Sequence, residues 1–184
     1  MASEITVLID AYRAGDQDAL NQLAPLLYPE LKAMAFKRSR DGAGIGATTL
    51  VNETFVKMLS GGDVAPKDRA QFFALAATIM RQVIVDEIRY ITAGKRARQD
   101  VTLAETVIGD EAHEKAEFLL QVDEMLHVLE KEDERLARVF ECRYFAGLTT
   151  AETAEAVETS ERSVERLWST ARKRIAALIE ENEE

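Results

Sequence analysis

Apolar positions recur at helical spacing along most of the chain. Over residues 5–14, Leu8, Ile9 and Tyr12 mark one side of a short amphipathic helix, which Gly15 ends, and Asp16 is placed to cap the next. Leu20, Leu23, Leu27, Leu31, Met34 and Ala35 then form a stripe over residues 19–38. Pro25 and Pro29 fall inside it and predict a kink or a break, since proline removes an N–H and crowds the preceding turn. Thr48 or Thr49 starts a further helix whose apolar side includes Leu50, Val51, Phe55, Met58 and Leu59. Asp68 can cap a long helix to about residue 91, with Phe72, Phe73, Ala76, Ile79, Met80, Val83, Ile84 and Ile88 as its core stripe. Its expected outer face carries Arg69, Gln71, Arg81, Gln82, Asp86, Arg89 and Tyr90, followed by Lys95, Arg96 and Arg98. Residues 115–131 resume the stripe with Phe118, Leu119, Val122, Met125, Leu126 and Leu129.

The clearest pattern lies at residues 136–175. Leu136, Val139, Phe140 and Phe145 make one apolar face, which Ala146-Gly147 terminates. Thr149 or Thr150 can cap a short helix carrying Ala151, Ala154 and Val157, and Ser160 can cap a third. There Val164, Leu167, Trp168, Ala171, Ile175 and Leu178 keep a helical period, opposite Arg162, Ser163, Arg166, Ser169, Arg172, Lys173 and Arg174. A short helix, a tight turn and a second helix with polar N-terminal residues make a helix-turn-helix. Arg162, Ser163 and Arg166 then face base edges in a major groove, Arg172, Lys173 and Arg174 face phosphates, and Ser160 at the cap completes the DNA-binding set. Glu158 stands where glycine is usual in such a turn, so a non-glycine residue is expected to take a left-handed conformation.

Three prolines and nine glycines among 184 residues favour helices over a turn-rich β fold. No apolar run approaches membrane-spanning length and no signal pattern opens the chain, so a cytoplasmic protein is expected, with no membrane partner. The single cysteine, Cys142, excludes an internal disulfide and reads as packing. His113 and His127 lack metal-ligand spacing, residues 41–46 lack the strand and the Gly-Lys-Ser/Thr of a phosphate loop, and no catalytic constellation or cofactor is implied. The net charge of −10 is unevenly placed. Residues 1–99 carry 13 basic and 11 acidic groups, residues 100–134 carry 2 and 12, and residues 135–184 carry 8 and 10. The acid sits in a connector and a tail, and the weakly basic ends imply poor DNA affinity without a larger partner.

The stretch YFAGLTTAETAEAVETSERSVERLWSTARKRI resembles the promoter-reading C-terminal domain of extracytoplasmic-function (ECF) sigma factors. Arg69-Ala-Gln-Phe-Phe-Ala-Leu-Ala-Ala, with Met80-Arg81 and Val85-Asp86-Glu87, resembles the segment of the same family that melts and reads the −10 element. The likeness covers about residues 5–179. It implies that the loop at residues 61–67 holds an unstacked base, and that Lys67, Arg69, Arg81, Arg89, Lys95 and Arg96 follow the single strand. It also implies that the helix with Leu50, Val51, Glu53 and Phe55 docks on the β′ clamp helices of core RNA polymerase, a complex that includes the β subunit. An acidic run usually opens that helix. Here Gly46-Ala47-Thr48-Thr49 carry no charge, which points to a subgroup lacking the acidic docking motif.

Phosphorylation of Thr48 or Thr49 by a Ser/Thr kinase would restore about −1.5 to −2 charges at a helix N-terminus, where negative charge is favoured. Alternatively, both threonines only cap the helix and docking is apolar. The expected fold is all-α, with a polymerase-docking and −10-melting domain at residues 1–98, an acidic linker at 99–114 and a helix-turn-helix domain at 115–184. The rival readings are a helix-turn-helix regulator that binds duplex DNA without joining polymerase, and a helical interaction module with no DNA role.

Overall fold

The computed structural model describes residues 4–40, 45–60, 66–97 and 110–183, all-α among those residues. The first half comprises α1 (Glu4–Arg13), α2 (Gln17–Arg40), α3 (Ala47–Ser60) and α4 (Arg69–Ala97). Gly15 takes φ 97° in the turn after α1, and the Asp16 carboxylate accepts the Asp18 N–H at 3.0 Å to cap α2. Ile9, Leu20, Leu23, Leu27, Leu31, Leu50, Val51, Phe72 and Met80 are fully buried and form the core of this half. The Tyr12 hydroxyl donates to the Met58 carbonyl at 3.3 Å, tying α1 to α3.

The prolines do not break α2, which runs unbroken from Gln17 to Arg40. Pro25 and Pro29 are four residues apart, so the carbonyls that lose their partners belong to Asn21 and Pro25, on the same strip. Asn21, Pro25 and Pro29 are all exposed, and water can satisfy those carbonyls.

Asp68 caps α4 as expected, accepting the Gln71 N–H at 2.8 Å, while the Gln71 side chain accepts the Lys67 N–H at 3.0 Å. The helix runs past residue 91 to Ala97. Of the expected acidic linker, residues 99–109 lie outside the described residues. Its last part is helical, because α5 (Asp110–Glu132) begins at Asp110 rather than at residue 115.

The second half continues with α6 (Glu134–Phe140), a π-helical turn at Glu141–Phe145, α7 (Thr150–Ala156) and α8 (Glu161–Glu183). Leu126, Leu129, Val139 and Val164 are buried at its centre, and the Phe140 ring packs on Tyr144 and Trp168 at 5.2 and 5.4 Å between centroids. Phe118, counted in the apolar stripe from the sequence, is 45% exposed.

Cys142 in the π turn is buried, and burial pushes its thiol up to about 12. Alkylation by iodoacetamide at pH 8 is therefore expected to be on the order of 10³-fold slower in the folded chain than in urea, because the thiolate fraction falls by that much. Mass spectrometry of timed reactions measures it, and equal rates would contradict the burial.

Candidate nucleic-acid interface

The helix-turn-helix is built from local caps. Thr149 accepts the Glu152 N–H through its hydroxyl at 3.2 Å, and the Glu152 carboxylate accepts the Thr149 N–H at 2.8 Å. This capping box fixes the start of α7 and selects Thr149 over Thr150. The Thr149 N–H and hydroxyl both hold the Glu152 carboxyl below its ordinary range. At the far end Thr159 N–H donates to Ala154 O at 2.9 Å and Glu158 N–H to Glu155 O at 3.2 Å, which is a Schellman turn. Its left-handed position belongs to Glu158, with φ 52°, as the sequence pattern anticipated. Ser160 then caps α8, accepting the Ser163 N–H at 3.2 Å.

On α8, Val164, Leu167, Ala171, Ile175 and Leu178 are buried, while Arg162, Arg166 and Lys173 are exposed on the opposite strip. Ser163 is half-buried, with its hydroxyl 3.0 Å from that of Ser160. Arg172 lies over the Trp168 ring at 5.2 Å, which holds its guanidinium beside the strip. Arg174 does not join it. It pairs with Glu132 at 2.7 and 3.0 Å and with Glu181 at 3.2 Å, tying α8 to α5, and this hydrogen bonding lowers the Glu132 carboxyl. Ser160, Arg162, Ser163, Arg166, Arg172 and Lys173 thus lie along the first four turns of one helix and its cap.

A family model described as ECF sigma factor matches residues 2–181. The chain belongs to the ECF sigma factor family. A comparison with curated proteins finds no match. Membership makes the chain a sigma factor for promoter-specific transcription, working with core RNA polymerase and promoter DNA. Among its described residues, no helix is long and apolar enough to cross a membrane.

In this sigma factor the residues expected at the −10 element are placed differently from the α8 set. Arg81, read from the sequence as outward-facing, is 7% exposed. It pairs with Asp123 of α5, and its Nε lies 2.9 Å from Glu141 Oε1. Small and apolar neighbours on the same side of α4 bring the second half close enough to cover it. Arg69 stacks on Phe73 at 4.9 Å and pairs with Glu30 of α2. Lys67 and Arg89 are largely exposed at their side chains, each with a carboxylate partner. The side chains of Lys95 and Arg96, near the end of α4, lie outside the described residues, as does most of the loop before Lys67.

The expectation for α3 also needs correction. Leu50 and Val51 are fully buried against α2 and α4 and cannot touch a polymerase from this fold. Glu53 is exposed and Phe55 half-buried. Sequence reasoning missed Val56, 55% exposed one residue on. The signal was present: Leu50, Val51, Thr54 and Met58 share the inward side at helical spacing, which leaves Thr48, Asn52, Phe55 and Val56 on the other. Thr54 escapes the cost of burial by donating to Leu50 O at 2.7 Å. Thr48 and Thr49 are both exposed. The helix starts at Ala47, so they lie inside its first turn rather than capping it, and that turn holds no acidic residue.

Proposed function

We propose that this sigma factor docks on the β′ clamp helices through the outward side of α3, and that phosphorylation of Thr48 or Thr49 by a Ser/Thr kinase switches docking on. The α4 cations then follow the melted −10 strand, and the Arg162–Arg166 strip of α8 reads the upstream element, with the β subunit completing the polymerase contacts. The reading is carried by the first turn of α3, where two exposed hydroxyls stand at a helix N-terminus without an acid. A phosphate there gains about 0.3–1 kcal/mol from the helix terminus and supplies the charge that basic groups on polymerase would meet. The first-turn position favours this over a capping role, because neither residue stands at the N-cap.

The test is a core-polymerase pull-down and run-off transcription with and without kinase treatment, using Thr48→Ala with Thr49→Ala and the corresponding glutamate pair. Kinase treatment is expected to raise transcription of the wild type and leave the alanine pair inactive, with the glutamate pair partly active untreated. Full binding and transcription by the untreated alanine pair would overturn the switch.

A further inference from the structure

The described cations assigned to the −10 strand already hold carboxylates from the second half of the chain. Lys67 Nζ lies 2.7 Å from Glu158, an Arg69 guanidinium nitrogen 4.0 Å from Glu152, and Arg89 3.3 Å from Asp123, while Arg81 is shared by Asp123 and Glu141. Gln71 adds a bond to Glu158 at 3.1 Å and Thr78 donates to Glu141 at 3.0 Å. The acids come from α5, the π turn, α7 and the turn of the helix-turn-helix, so four separate places on the second half converge on α4 and Lys67.

Beneath these pairs α4 has a second covered side. Ala70, Ala77, Arg81, Val85 and Ile88 are buried and Ala74 half-buried, at spacings of three and four that put them on one strip. Arg81 stands at its middle. This strip packs on α5, the π turn and α7, while Phe72, Ala76, Ile79 and Val83 occupy the other side of the helix.

The apolar packing is continuous across the contact, but two features weaken it around Arg81. Arg81 Nε, though close to Glu141, has no aligned hydrogen bond. A cavity of about 760 Å³, bordered by Lys67, Gln71, Thr78, Arg138, Glu141 and Glu158, adjoins the packing. Buried ion pairs add little net stability but are costly to leave half-made, and polar interfaces between halves of a chain open more readily than apolar ones. A carboxylate offers arginine and lysine the same charge-assisted bonds as a phosphate.

We infer that the second half is an autoinhibitory latch on α4: Asp123, Glu141, Glu152 and Glu158 hold the cations that a promoter single strand would take, so the strand enters only when the two halves part. The inhibitory part rests on the α4 reading proposed above; the closed state does not.

The full chain is compared with Asp123→Asn plus Glu141→Gln, and separately with Glu158→Gln, which breaks an exposed pair without stranding a buried charge. Small-angle scattering gives the size, and fluorescence anisotropy at fixed salt gives affinity for a single-stranded −10-type oligonucleotide. Glu4→Gln plus Glu124→Gln, exposed and outside the contact, controls for the change in net charge. The wild type is expected near the ~16 Å radius of gyration of a compact 184-residue chain. The Asp123/Glu141 variant is expected to be several ångströms larger, and to bind the oligonucleotide about tenfold tighter if the open fraction starts on the order of 10%. Glu158→Gln should move in the same direction by less. An expanded wild type, or variants that keep their helical circular dichroism and stay compact, would overturn the latch. Expansion without a gain in affinity beyond the control would overturn its inhibitory role, and would place the fault in the α4 reading rather than in the closure.

Discussion

Replacing Arg162 and Arg166 together by alanine is expected to weaken binding to the upstream promoter element by about 2–6 kcal/mol, thirtyfold or more, with helicity unchanged. Each arginine in base contact contributes about 1–3 kcal/mol, and the two lie one turn apart on the exposed side of α8. Neither belongs to the buried side formed by Val164, Leu167, Ala171, Ile175 and Leu178, so truncation opens no cavity and a loss of binding is not a loss of folding. The comparison is Lys173→Ala, three turns from Arg162. A phosphate contact at Lys173 predicts a smaller loss, uniform across sequences, with a shallower salt dependence. Titrating holoenzyme on matched and mutated duplexes at two salt concentrations separates the effects. Equal affinity of the double variant for the intact element would remove α8 as the reading helix.

Phe72→Ala is expected to destabilise the chain by about 3–5 kcal/mol, the usual cost of emptying a buried aromatic site. Phe72 is fully buried and its ring meets Phe73 edge to face at 5.8 Å, so little can collapse into the space. For a chain of this size that corresponds to a fall in Tm of roughly 6–20 °C. Phe118→Ala on α5 should cost only about 1 kcal/mol, because that ring is 45% exposed. Thermal and urea unfolding followed by circular dichroism give both values. Similar losses for the two would mean that the burial difference between α4 and α5 is wrong.

The contrast between those phenylalanines shows where the sequence was legible. The helix-turn-helix could be read almost completely because its determinants are local: Thr149 and Ser160 cap, Gly147 takes φ 66°, and Glu158 is forced into the left-handed corner. Helices packed on one side were equally clear. Reading failed where a residue's surroundings come from distant chain. A helix covered on two sides shows only its stronger stripe, so Arg81 looked like a surface arginine until Asp123 and Glu141 were found beside it. Asp123, 3% exposed, gave no sign either, since an isolated acid between apolar residues normally faces water. Pro25 and Pro29 leave α2 unbroken for a related reason, as exposure decides whether an orphaned carbonyl matters. Leu50 and Val51 were assigned to a partner when they had the protein's own core to fill.

Glu158 bears on more than its own turn. A residue without a Cβ would relieve about 1–2 kcal/mol of steric conflict at that corner, yet it would leave the Lys67 ammonium and the Gln71 amide with nothing to hold. The chain accepts a tense hinge on one module to gain a hook on the other. Relaxing the corner and keeping the hook are therefore incompatible demands on a single position, and selection for a more rigid C-terminal module would loosen its grip on the N-terminal one.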